Sequence, residues 1–177
     1  TNHNEGQVIL PGDLLHCDFG ISYLRLNTDV QEHAYVLKDG ETQAPQFLVD
    51  AFAKGNQVQD IFTSNFETGK TGNMILKESL TEAKAEGLRP SIYTHPLGLY
   101  GHSAGPTIGM WDSQDGVPGT GDYKLFENTA YAIELNTTVN ISEWNKDIRI
   151  MLEEDGFWGP KGFKYINKRQ EELILVD

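Results

Sequence analysis

The sequence predicts an α+β fold, on three observations. The first third is rich in β-formers and closes on a turn, two segments then carry apolar residues at helical spacing, and the rest is a run of β-rich segments. In the first third, Asp13 to Leu24 (DLLHCDFGISYL) and Asn27 to Leu37 (NTDVQEHAYVL) flank a short connection near Arg25 and Leu26, which reads as a hairpin. Lys38-Asp39-Gly40-Glu41 is the turn that ends it. From Ala44 to Phe66, Leu48, Ala51, Phe52, Val58, Ile61 and Phe62 recur mostly at threes and fours, one buried stripe of a helix. Gly55 lies inside that stripe and weighs against an unbroken helix. From Gly72 to Glu86, Ile75, Leu76, Leu80 and Ala83 form a second stripe, with Asn73 as candidate N-cap and Gly87 as candidate C-cap. Ser91 to Gly121 is glycine-rich and loop-like, and holds His95 and His102. Asn128 to Ile141, Ile148 to Trp158 and Phe163 to Val176 read as strands. No linker, repeat or low-complexity tract divides the chain, so residues 1–177 are read as one domain.

Composition narrows the function classes. The chain has 177 residues, 14 Lys plus Arg against 26 Asp plus Glu, and a formal charge of −12. That balance argues against nucleic acid and against an anionic membrane as partners, since both need a basic footprint. The apolar share is 38%, and 18 glycines bring it close to the globular norm, which argues against wholesale disorder. A single cysteine, Cys17, excludes an intrachain disulfide framework and a thiolate zinc site. No apolar run approaches the roughly 20 residues of a membrane span, and no signal-like segment opens the chain. The first residue is Thr1 rather than Met, which reads as processing or a cut; a targeting segment, if any, would lie upstream.

Four β segments each carry a carboxylate out of pattern. Asp18 lies in His16-Cys17-Asp18-Phe19-Gly20, Asp29 in Asn27-Thr28-Asp29-Val30, and Glu134 in Ala130-Tyr131-Ala132-Ile133-Glu134-Leu135. Glu153, Glu154 and Asp155 end the strand Ile148-Arg149-Ile150-Met151-Leu152. Taken singly, each has a bland explanation: Asp18 and Asp29 cap turns or pair with Arg25, Glu134 pairs with a cation, and the acidic run is a solvated strand end. Taken together, with His95 and His102 in a loop between them, they match the carboxylate and imidazole mixture that Mn²⁺ or Zn²⁺ accepts. Five such ligands, mostly carboxylates, have room for two ions with shared oxygens, an arrangement suited to attack of water on a polarised carbonyl.

These pieces resemble the pita-bread metallopeptidases: aminopeptidase P, prolidase and methionine aminopeptidase, with the creatinase-like fold. The resemblance rests on four stretches in the family's order. They are Pro11-Gly12-Asp13-Leu14-Leu15-His16-Cys17-Asp18-Phe19-Gly20 with Asp29 eleven residues after Asp18, His95-Pro96-Leu97-Gly98-Leu99-Tyr100-Gly101-His102 with Gly105-Pro106 behind it, Asn128 to Glu134, and Ile148 to Asp155. It implies Asp18, Asp29, His95, Glu134 and Glu153 as ligands to two divalent metal ions, with Asp29 and Glu153 bridging. Mn²⁺ is the first candidate, with Co²⁺ or Zn²⁺ as alternatives. Glu134 would also carry the proton of the attacking water to the leaving amine, and His102 would hydrogen-bond the substrate carbonyl. The family places an arginine closer to its last ligand than Arg149 stands to Glu153; strand alternation puts Glu153 on the face of Arg149 and Met151, and Glu154 is the alternative. His3 is the candidate for a histidine that the family carries shortly before its first aspartate, and Ser91 stands where one branch has another histidine.

The function so implied is a dinuclear metallo-aminopeptidase or dipeptidase acting on a peptide substrate, with Xaa-Pro as the bond of first interest and a homodimer as one candidate assembly. Two alternatives are a non-catalytic relative that binds peptide or protein in the same pocket, and metal-free chemistry on an amidine or guanidine as in the creatinase branch. The pita-bread fold consists of two related halves, and Asp18 comes too early to leave room for the helices of the first. The expectation is therefore a carboxy-terminal catalytic portion: the last hairpin of one half and all of the other, a curved antiparallel sheet with helices outside. Metal binding would be weak or absent and catalysis poor in such a portion alone.

Overall fold

The computed structural model describes residues 8–177. The strands β1 (Leu14–Phe19), β2 (Ser22–Tyr23), β3 (Leu26–Asn27) and β4 (Val30–Val36) form one long hairpin. Asp18 pairs with Gln31 and His16 with His33 across β1 and β4. Leu24 and Arg25 both have positive φ at its tip, the geometry of a two-residue hairpin turn, so the turn comes one residue earlier than the sequence suggested. The helices are α1 (Gln46–Ser64) and α2 (Gly72–Ala85).

Gly55 does not break α1. A Cβ there would lie 2.8 Å from both Ile150 and Leu152, so the missing side chain lets the helix settle directly onto the sheet. The N-cap of α2 is Thr71, whose hydroxyl accepts the Met74 amide, and not Asn73. Asn73 instead braces the following loop, bonding both the Val117 amide and carbonyl. Gly87 follows α2 with positive φ, the left-handed residue its sequence position called for.

The remaining strands are β5 (Pro90–Ile92), β6 (His95–Leu97), β7 (Thr129–Ala132), β8 (Leu135–Ile141), β9 (Lys146–Leu152), β10 (Asp155–Gly159), β11 (Gly162–Tyr165) and β12 (Ile174–Val176). Each long β segment of the sequence is broken in two and shared between sheets. β5, β8 and β9 form one antiparallel sheet, and β6, β7, β10 and β11 another. The chain crosses from one to the other at Tyr93-Thr94, at Ile133-Glu134 and at Glu153-Glu154. All three crossings lie at one level, held by backbone bonds from Tyr93 N–H to Glu134 O and from Ile133 N–H to Glu154 O. β4 joins the seam from the hairpin side, where Gln31 bridges Glu153. β12 pairs with β4 in parallel, so the last predicted strand is two separate ones.

The helices cover one side of the sheets. Phe52, Val58, Phe62, Ile75, Leu76 and Leu80 pack with Ile92, Leu135, Ile150 and Leu152 in the core. No helix among the described residues is long and apolar enough to cross a membrane. One glycine governs the segment that ends in His95. Gly109 has φ +72°, and a Cβ on it would lie 2.1 Å from the Ile92 carbonyl oxygen, because Thr94 and Ile108 exchange backbone hydrogen bonds beside it. Gly109→Ala is expected to lower the free energy of urea unfolding by about 3 kcal/mol through the combined clash and backbone strain.

Candidate metal centre

Breaking the strands at one level is what gathers the polar side chains. In continuous strands Glu134 and Glu153 would be interior positions of sheets; here each sits in the gap where its strand changes sheet. The hairpin brings Asp18 and Asp29 to the same place from the opposite side, and the Asp155 carboxylate accepts the Asp29 amide at 3.1 Å. His95 opens β6 beside them. Three groups result, each with one donor atom per residue and all donors within 4.8 Å of one another: Asp18, Asp29 and Glu153; His95, Glu134 and Glu153; and Asp29, His95 and His102. All five residues predicted as ligands are thus brought together. Glu153 belongs to two of the groups and Asp29 to two.

Glu154 does not join them. It is buried on the other side, where its Oε1 accepts the Gln170 amide at 2.6 Å. The alternation argument for Glu153 therefore agrees with where the side chain stands. His3 lies outside the described residues. Arg25 sits at the hairpin tip, and among the described residues no Lys or Arg forms an ion pair with Asp18, Asp29, Glu134 or Glu153. The bland explanation of each carboxylate as half of a salt bridge finds no partner here.

Burial without a cation favours the protonated form of three of these carboxylates. Burial, then the neighbouring Glu134, pushes Glu153 up to about 9. Burial also pushes Glu134 up to about 7 and raises Asp29. His95 moves the other way, down to about 4, because burial and the adjacent His102 both disfavour its charge. Its Nδ1 lies 3.3 Å from the Pro96 carbonyl, a bond that needs the proton on Nδ1. The lone pair of Nε2 is thereby aimed at Asp29 Oδ2, 3.9 Å away, and Glu153 Oε1, 3.8 Å away. Both His95 Nε2 and Glu153 Oε1 are buried with no hydrogen-bond partner. Two orphaned donors about 4 Å apart suit a cation between them, since each ligand bond to a small divalent ion is roughly 2.0–2.2 Å long. The residues present fit a divalent metal in donor type, protonation and spacing.

His102 is exposed and stacks face to face on His95, centroids 3.9 Å apart and planes within 10°. Its Nδ1 is 3.3 Å from the Tyr93 hydroxyl. Gln31 and His16 went unnoticed in the sequence. Gln31 Nε2 donates to Glu153 Oε2 at 2.7 Å and to Glu134 Oε1 at 3.3 Å, while His16 Nε2 lies 2.8 Å from Gln31 Oε1. Period-two alternation from Asp29 puts Gln31 on its face of the strand, but only the hairpin register reveals that it meets Glu153.

No protein-family model matches the chain, and no curated protein matches its sequence. Solved structures do match in shape. X-Pro aminopeptidase from Thermotoga maritima superposes with a TM-score of 0.72 at 19% identity, over 99% of this chain and 46% of that one. Methionine aminopeptidase from Rickettsia prowazekii gives 0.63 at 15% identity, over 87% of this chain and 64% of that one. The N-terminal domain of the FACT complex subunit SPT16 from chickpea gives 0.68 at 10% identity, over 96% and 39%. Likeness at these identities carries the fold and not the chemistry. The chain, which spans less than half of the Thermotoga enzyme, has the pita-bread fold that its four motifs led us to expect.

Proposed function

We propose that the chain carries the dinuclear metal centre of a peptidase that releases an N-terminal residue or splits a dipeptide, with Xaa-Pro as the bond of first interest. One observation supports this above the others. Five side chains of the right types converge at a strand seam, and two of their buried donor atoms, on His95 and Glu153, face each other without a partner. In this reading Asp18, Asp29, His95, Glu134 and Glu153 would hold the two ions, with Asp29 and Glu153 shared between them. Mn²⁺ is the first choice, because four of the five donors are hard carboxylates, with Co²⁺ and Zn²⁺ next. Such ions supply Lewis-acid polarisation of a carbonyl and a water acidic enough to attack it at neutral pH.

The chain's own groups then divide the work. Glu134, half-buried between Gln31 and the other carboxylates, accepts the proton of the attacking water and passes it to the leaving amine. His102, steadied by His95 and Tyr93, donates a hydrogen bond to the substrate carbonyl oxygen as negative charge develops there. The test is turnover of a panel of Xaa-Pro and Xaa-Ala peptides at rising Mn²⁺. We expect Mn²⁺-dependent release of the first residue, and a fall in kcat of about 10²–10⁴-fold in Glu134→Gln. Turnover unaffected by chelators would point to metal-free chemistry instead. Peptide binding without turnover, unchanged in Glu134→Gln, would point to a binding protein.

A further inference from the structure

We infer that Gln31 and His16 form a positioning pair that presents the bridging carboxylate to the metal centre, an inference that rests on the function proposed above. Neither residue is among the five ligands. Gln31 is only 4% exposed, so each of its amide hydrogens must find an acceptor or cost the fold a desolvated donor. Both do, and both acceptors are carboxylates of the cluster: Glu153 Oε2 at 2.7 Å and Glu134 Oε1 at 3.3 Å. The first bond occupies one oxygen of Glu153 and leaves the other, Oε1, turned toward His95 Nε2. Gln31 thereby decides which oxygen of Glu153 is free for an ion.

The amide could serve equally well the other way round in size, but not in charge. Flipped, its carbonyl oxygen would face two carboxylates. The two carboxylate acceptors therefore fix which way round the amide lies, and His16 completes its bonding. With both amide hydrogens committed, Gln31 Oε1 can only accept, so His16 Nε2, 2.8 Å away, must carry a proton toward it. The backbone fixes the pair as well: Gln31 N–H donates to Glu153 O at 3.0 Å, making the two residues direct cross-strand neighbours. His16 is itself walled by His33, centroids 5.2 Å apart. His33 has no freedom to turn, since its Nδ1 donates to Leu15 O and its Nε2 accepts the Met151 amide.

Isothermal titration of the protein with Mn²⁺ tests the pair without relying on turnover. Gln31→Leu is expected to weaken Mn²⁺ binding by about 10–100-fold, and His16→Leu by about tenfold. His16→Gln, which keeps a donor near the position of Nε2, is expected to restore most of the loss. In a Gln31→Leu background His16→Leu is expected to add nothing, because His16 acts through Gln31. A purely structural role would instead give additive losses and no rescue. Thermal unfolding in chelator checks that each variant folds; should Gln31→Leu fail to, the two His16 variants decide alone. Wild-type affinity in the variants would overturn this inference and leave the metal centre standing. Failure of the wild-type protein to bind Mn²⁺ or, in its place, the related ions Co²⁺ and Zn²⁺ would overturn the metal centre and the inference with it.

Discussion

Glu153→Gln is expected to bind Mn²⁺ at least about 100-fold more weakly than the wild type while making the metal-free chain more stable. Both effects follow from the same burial. Glu153 is 2% exposed, lies in two of the three ligand groups, and offers the orphaned Oε1 that faces His95. In the proposed centre, removing its charge would take away the ligand shared by both ions. Without metal, however, that same carboxyl sits among Glu134, Asp29 and Asp18 and is driven up to about 9. At neutral pH the fold must keep it protonated at a cost that a neutral amide of the same shape avoids. Glu154→Gln is the control. Its carboxylate faces the Gln170 amide on the other side of the strand, so occupancy is expected to stay at the wild-type level. Metal analysis after Mn²⁺ loading and dialysis, with unfolding curves in EDTA, reads both outcomes. Loss of metal in Glu154→Gln with retention in Glu153→Gln would reverse the assignment.

The sequence disclosed the candidate ligands more readily than the geometry that brings them together. Asp18, Asp29, Glu134 and Glu153 stood out because a charge in an apolar strand needs a reason, and that test uses nothing but neighbours along the chain. Spacing also separated Glu153 from Glu154, since alternation is a local rule. The strand breaks were not legible in this way. Asn128 to Ile141 reads as one strand because β-branched and aromatic residues recur along it, and no glycine, proline or turn signal at Ile133-Glu134 marks the point where it leaves one sheet for another. Only the pairing of β7 with β10 and of β8 with β9 reveals the crossing. Gln31 escaped notice for a related reason. A glutamine in a strand carries no charge to explain, and its importance comes from a partner 122 residues away. Gly55 misled in the opposite direction, because helix propensity registers its entropy and not the Ile150 and Leu152 side chains that press against it.

The centre should also dominate how stability responds to pH. In EDTA, the chain is expected to be most stable near pH 5 and to weaken on both sides, for opposite reasons. Glu153, raised to about 9, and Glu134, raised to about 7, hold protons in the fold that the unfolded chain surrenders above about pH 4.5. Over that range the folded state binds more protons than the unfolded one, so stability falls as pH rises. His33 and His95 act in the reverse sense. Burial lowers both to about 4, so between pH 6.5 and 4 the unfolded chain takes up protons that the fold refuses, and stability falls as pH falls. From pH 5 to pH 8 the loss in EDTA is expected to reach about 2 kcal/mol or more, because one pKa unit corresponds to about 1.4 kcal/mol. Cations held by Glu153 and Glu134 would remove the larger part of the upper limb, and Glu154, raised to about 7 outside the centre, would keep its share. With Mn²⁺ at about 100 times its dissociation constant, mass action restores about 2.7 kcal/mol. Thermal unfolding at pH 5, 6.5 and 8 should therefore show Mn²⁺ raising Tm little at the lowest pH and most at the highest. A Tm in EDTA that climbs from pH 5 to 8, or an Mn²⁺ increment equal at all three values, would mean that burial and the neighbouring charges do not hold these carboxyls protonated. Glu153→Gln should make the upper limb in EDTA shallower without abolishing it, because Glu134 and Glu154 are each also raised to about 7, mainly by burial.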